Sequence, residues 1–234
     1  MSWNQQQSYV PVSVSDERVT SFLAKVYLWM FGGLLVTAGT AFFLVSSPAL
    51  IEAIVLNRIL YLAILFAPIG LVLYAQARVD TISPATAAIL FLIYSASVGV
   101  TVSLILLIYT ATSVASTFII TAGMFGTMAV FGTVTKRSLA GVGQFMFMGL
   151  IGLILAMIVN IFWMNSALDF VISIVGIIVF TGLAAWKAQR MKEMAAALPD
   201  GRVNSYAIVG ALSLYITFIN LFFMLLRLTS GRRN

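Results

Sequence analysis

The last long apolar run of this 234-residue chain carries Ser213, Thr217, Asn220, Met224 and Arg227 at spacings of 4, 3, 4 and 3. On a helix that spacing puts all five on one face. Hydroxyls, an amide and a guanidinium in apolar surroundings can line a path for a solute. They can equally hydrogen-bond a neighbouring helix, at on the order of 1 kcal/mol per contact in lipid. Both readings stay open for the stripe, and Asn160 in an earlier run carries the same ambiguity with packing favoured. Lys187, near the end of the run before last, reads as a cation that keeps its stem in apolar surroundings and its head at an interface.

The chain has no cysteine and no histidine, which removes disulfides, thiol nucleophiles, Cys/His metal sites and imidazole relays. The seven acids are Asp16, Glu17, Glu52, Asp80, Asp169, Glu193 and Asp200, and none falls deep in an apolar run. Intramembrane carboxylates are the usual elements of proton or cation coupling, so a carboxylate-driven transporter fits poorly. Asp169 reads as a charge at a helix start. No nucleotide loop, zinc helix, calcium loop or nucleophile elbow is present. The sequence therefore offers no catalytic residue, no metal ligand set and no cofactor site, and an enzyme ranks a distant third among its functions.

These residues need elements to hold them, and composition says which: 62% of the chain is apolar and 9% charged, far from a soluble domain. Runs of about 17 to 25 residues without interior charge are long enough to cross a bilayer as helix. Seven qualify, near Val26 to Val45, Ile59 to Ala77, Ala85 to Tyr109, Thr117 to Val134, Phe145 to Trp163, Leu168 to Trp186 and Ala207 to Leu226. They are continuously apolar, which favours helices over the alternating strands of a barrel. The reading is an all-α polytopic membrane protein with a polar tail over 1–21, one seven-helix domain over 22–228 and a short basic tail over 229–234. The tail has no early positive charge and is expected to be retained and partly disordered.

With the N-terminus inside, the cytoplasmic side holds Arg18, Lys25, Arg78, Lys136, Arg137, Lys187, Arg190, Lys192 and Arg202, while Arg58, Arg227, Arg232 and Arg233 lie opposite. That imbalance supports a cytoplasmic N-terminus, and it makes the net charge of +6 a topology signal rather than a nucleic-acid one. Three of the four opposing charges sit in the last segment, so either late charges are tolerated or that segment does not cross fully. The sixth span continues in strong helix formers and should reach about Leu198, before Pro199-Asp200-Gly201. Pro68 should bend the second span. Ala122/Gly126, Gly99/Ser103 and Gly152/Ala156 permit close helix approach. Trp29, Trp163, Trp186 and Tyr109 fall near span ends as an aromatic belt would.

Three segments carry a resemblance across nearly the whole chain: Tyr109 to Gly132 with Thr135 to Gly141, Val179 to Lys192, and Gly210 to Leu228. They resemble the bacterial branch of the Bax inhibitor-1 (transmembrane Bax inhibitor motif) family. The resemblance implies seven helices with six around a more central last one, a calcium leak, and in some members modulation of a membrane-bound protease. It also implies an aspartate in the sixth helix, in the pattern A-Y-D-x-Q, and another in the seventh, in Y-L-D-F-I-N. The matching positions here are Lys187, in Ala185-Trp186-Lys187-Ala188-Gln189, and Thr217, in Tyr215-Ile216-Thr217-Phe218-Ile219-Asn220. In the family the two carboxylates are thought to form a pH-sensitive latch and calcium site. Arg78 lies near the place of the family's basic partner to them.

Two functions follow as expectations. One is a non-enzymatic ion leak in a bacterial inner membrane, with altered or lost pH and calcium sensing, whose pore or latch positions are Lys187, Thr217, Asn220, Ser213, Arg227 and Arg78. The other is a non-conducting modulator of a membrane-bound protease or other membrane protein. Either way the expected partner is the lipid bilayer, and no nucleic acid, cofactor or metal is called for.

Overall fold

The computed structural model describes residues 12–229, and all the regular structure described there is helical. In order the helices are α1 (Val12–Val45), α2 (Pro48–Leu56), α3 (Arg58–Ala77), α4 (Pro84–Ile108), α5 (Ala111–Val134), α6 (Ala140–Trp163), α7 (Ser166–Ala197) and α8 (Val203–Thr229). Seven of them, all but the short α2, are long and apolar enough to cross a membrane. The expected spans lie within these seven, apart from Tyr109, which is the C-cap of α4.

The boundaries follow local chemistry. Ser83 accepts the Thr86 N–H and is followed by Pro84, so α4 starts there. Thr110 does the same for α5 through the Ser113 N–H. Asn165 accepts from both Ala167 and Leu168 N–H to open α7, and Met164 before it takes the left-handed conformation that reverses the chain. Asn160, whose role was open, uses its side-chain oxygen on the Asn165 N–H at 3.0 Å, so it closes this same turn.

Two boundaries differ from the sequence reading. Helix α1 begins at Val12, so the second half of the expected polar tail 1–21 is helical; residues 1–11 and the last part of the basic tail, 230–234, lie outside the described residues. The short α2, seen only in the structure, turns the chain between the first two spans. The sixth span does run on as expected, with α7 ending at Ala197 and Leu198 as its C-cap. Its 32 residues make about 48 Å of helix against about 30 Å of hydrocarbon, so part of it stands outside the bilayer. Pro68 lies inside α3, which continues through it.

Helix α8 is the innermost: 72% of its most apolar stretch is buried, against 6 to 39% for the other six. It is packed by α1, α4, α5 and α7, touches α3, and runs the full width of the bundle. The tight centre is aromatic, with the Tyr215 ring edge-on to Phe91 and Tyr94 at 5.5 and 5.7 Å and Phe218 edge-on to Phe125 at 5.5 Å. Tyr215 closes its polar end on the Thr37 hydroxyl of α1. The outer surface is the reverse of a soluble protein, with Leu56, Ile59, Phe162 and Trp163 exposed; lipid is the solvent that such a surface fits. Helices α3 and α6 are the least buried, 6% each.

The helices alternate in direction, so one face collects the start of α1, the α3–α4 turn, the α5–α6 turn and the α7–α8 turn. Cross-links confirm the grouping: Arg18 donates to the Leu198 carbonyl, Lys25 to Asn204 at 3.0 Å, and Ser205 to the Ile82 carbonyl at 3.0 Å. The opposite face joins Arg227 to Asp169 at 3.4 Å and Thr229 to Thr117 at 3.1 Å. Helix α8 ends on that opposite face, so the last segment crosses the bundle completely.

Candidate functional site

A cavity of about 750 Å³ opens between α3, α6, α7 and α8. Its lining runs from Leu198 and Tyr206, near the face that holds the α1 start, to Leu150, Leu183 and Ile216 further along the helices. The residues α7 contributes include Lys187, Arg190, Met191 and Met194, at the i, i+3, i+4, i+7 spacing of one helix face. Helix α3 adds Gln76, and α8 adds Tyr206 and Ser213.

Lys187 is the polar centre. Its Nζ donates to the Thr217 hydroxyl at 2.8 Å and to the Ser213 carbonyl at 3.1 Å, and the same Thr217 hydroxyl donates to that carbonyl at 3.1 Å. Thr217 is 14 residues into α8, roughly 21 Å along its axis at 1.5 Å per residue, which is near the middle of the helix. A helical side chain leans toward the helix N-terminus, and that lean carries the ammonium of Lys187 inward. The charge therefore points to the bundle centre, in place of the snorkelling expected from sequence. Two positions 30 residues apart, which the resemblance matches to the family's two aspartates, are thus in direct contact.

The other sequence-chosen residues are dispersed. Asn220 donates to its own helix at the Ile216 carbonyl, 2.8 Å away. Met224 is buried and lies where a Cβ on Gly176 would meet it. Arg227 pairs with Asp169 at the far end of α7. From Ser213 to Arg227, then, the stripe contacts α7, with Asn220 bonded within its own helix. Only Ser213 among its members lines the cavity. Arg78 is exposed at the end of α3, outside the cavity lining, with its backbone N–H on the Tyr74 carbonyl.

Several contributors escaped the sequence reading. Arg190 stacks its guanidinium over Trp186 at 5.5 Å from the ring centroid, and the signal for it was the i, i+3 spacing from Lys187. Gln189 accepts the Leu139 N–H at 2.7 Å and donates to the Arg137 carbonyl at 2.9 Å, so one side chain pins the α5–α6 turn to α7. Tyr206 in the cavity lining donates to Asp80. Nothing in the sequence pattern reports such partners, because they meet only through packing.

No acidic side chain lines the cavity among the described residues. Nor do three His, Cys, Asp or Glu side chains gather anywhere among them as a metal would need. A second, polar cleft of about 410 Å³ on the α1-start face is lined by Asp16, Lys136, Lys192 and Glu193, charges of both signs.

The fold and this surface define a multi-pass helical membrane protein. Residues 19–234 match the family described as inhibitor of apoptosis-promoting Bax1. The chain is 43% identical over 217 residues to inner membrane protein YbhL of Escherichia coli (strain K12), covering 91% of this chain and 92% of that protein. It is 42% identical over 215 residues to an uncharacterized protein of Borreliella burgdorferi, covering 91% and 93%. It is also 40% identical over 220 residues to the uncharacterized protein RP147 of Rickettsia prowazekii, covering 94% and 93%. The chain belongs to the Bax inhibitor-1 family.

Proposed function

We propose that this chain is a non-enzymatic protein of a bacterial inner membrane, with the start of α1 cytoplasmic, whose bundle forms an ion leak poor in calcium. One observation carries the reading: the Lys187 ammonium sits between Ser213 and Thr217 near the middle of α8. If those positions are where the family holds its aspartates, a fixed cation has replaced two potential anions. A divalent cation then meets repulsion in a medium of low dielectric, where unit charges a few ångströms apart interact strongly. Among the described residues no carboxylate lines the cavity to offer calcium a charged oxygen ligand. The inner-membrane placement rests on the similarity to the Escherichia coli inner membrane protein and on the basic residues gathered on one face.

Calcium entry into proteoliposomes tests the reading, comparing the natural chain with a Lys187→Asp/Thr217→Asp double variant. The natural chain should pass little calcium and show no step in flux on acidification from about pH 7 to about pH 5, a range in which paired carboxylates and histidines titrate. The double variant should leak calcium with an acidic midpoint. Calcium flux with such a midpoint in the natural chain overturns the reading. If neither chain conducts, the leak itself is wrong.

The polar cleft at Asp16, Lys136, Lys192 and Glu193 favours a second reading, a non-conducting modulator of a membrane-bound protease or another membrane protein. Charge reversal by Lys136→Glu with Glu193→Lys should then release the bound partner. If every protein that copurifies with the natural chain stays bound, this reading loses its basis.

A further inference from the structure

The donors in the large cavity point at something anionic. Of the three N–H groups on Lys187, two are taken by Ser213 and Thr217, which leaves one. The Arg190 guanidinium rests on Trp186 and makes no hydrogen bond among the described residues. The Gln76 amide and the Ser213 hydroxyl also line the space without a hydrogen-bond partner there. Four residues that carry donor groups, from α3, α7 and α8, thus line one space in which no acid is found among the described residues. The Asp80 carboxylate, which accepts from the lining residue Tyr206, is not itself part of the lining.

The walls are apolar, with Val72 on α3, Phe147 and Leu150 on α6 and the adaptable side chains of Met191 and Met194 on α7. Helices α3 and α6 both contribute to the lining and are the two least buried spans, so the cavity borders the lipid-facing side of the bundle. About 750 Å³ is within the range of pockets that enclose a small amphiphile. We propose that this cavity binds an anionic lipid, its carboxylate or phosphate head on Lys187 and Arg190 and one acyl chain along Phe147 and Leu150. The charge and shape of the cavity carry this, independently of whether the chain conducts.

Trp186 lines the cavity and supplies the readout. The chain has four tryptophans, so Trp3, Trp29 and Trp163 are replaced by Phe and the protein is placed in phosphatidylcholine nanodiscs. Dibromostearate and a brominated lysophosphatidate, a carboxylate head and a phosphate head, are titrated against Trp186 fluorescence. At least one should quench saturably, while the methyl ester of dibromostearate should quench only in proportion to its concentration in the membrane. Lys187→Gln and Arg190→Gln should each weaken the saturable phase by roughly tenfold, the scale of one charge-assisted hydrogen bond. Arg190 is exposed, so its variant keeps the test open should Lys187→Gln fail to fold.

Equal saturable quenching by the neutral ester overturns the proposal, because charge is then not recognised. So does unchanged affinity in Arg190→Gln together with Lys187→Gln. Full displacement of the lipid by acetate or inorganic phosphate at the same concentration also overturns it, since the site would then take the small anion alone. None of these outcomes bears on the flux experiment, which uses no added lipid anion.

Discussion

An ammonium group held away from water needs acceptors more than its acceptors need it. Thr217 and Ser213 supply them to Lys187, and the Thr217 hydroxyl keeps its own bond to the Ser213 carbonyl whether or not the lysine is there. The two single substitutions should therefore be unequal. Thr217→Val leaves the charge with one acceptor fewer and should destabilise the protein by about 1–3 kcal/mol. Lys187→Met removes the charge, orphans nothing, and should leave the melting temperature in detergent unchanged or higher. A larger loss for Lys187→Met than for Thr217→Val would show that the amine is needed for packing. Lys187, Thr217 and Ser213 were each legible in the sequence as candidates; that they meet in one contact was not.

At the level of helices, small residues matter only where backbones actually approach. Helix α5 meets α7 at Gly132, where an added Cβ would collide with the Ala185 carbonyl. Helix α1 meets α4 at Gly99, where it would stand 2.6 Å from the Thr40 Cβ. Gly126 and Gly152, chosen from sequence by the same four-residue spacing, have open space around the added atom. Gly132→Ala should thus lower thermal stability markedly, and Gly126→Ala should be neutral or slightly stabilising, because alanine is the better helix former by about 1 kcal/mol. A melting comparison of the two separates close approach from mere spacing. Gln189 acts at this level too, and Gln189→Leu leaves the Leu139 N–H and the Arg137 carbonyl without their partner. Faster hydrogen exchange over 137–141, with α8 unchanged, is the expected result; uniform exchange across the bundle would mean the pin is dispensable.

Across the whole molecule, one face gathers four of the chain's connections and ends and the other face receives the end of α8. The excess of basic residues on the first face favours it as cytoplasmic. The absence of cysteine makes this directly measurable with single introduced thiols. Ser138→Cys, in the α5–α6 turn, should react with a membrane-impermeant maleimide only from the cytoplasmic side, and Ser166→Cys, at the start of α7, only from outside. Labelling of both from one side would contradict the seven-span arrangement. The reverse assignment of the two would invert the proposed orientation.

What the sequence determined by itself was everything that depends on burial of a backbone in lipid. Continuous apolar runs without interior charge can cross a bilayer only as helices, so the seven spans, the all-α class and the absence of imidazole or thiol chemistry follow from residue types alone. The long reach of α7 was legible as well, from its helix formers and the Pro199-Asp200-Gly201 stop. Tertiary structure decided how the polar residues are used. A periodic pattern shows which side chains share a face but not what stands opposite, and only packing could turn the stripe of α8 toward α7. The same packing swung Lys187 inward and left α3 and α6 apart over a cavity lined with cations and donors. Hydrogen bonds between residues 30 or more positions apart leave no period in a sequence, so this contact had to be seen in three dimensions.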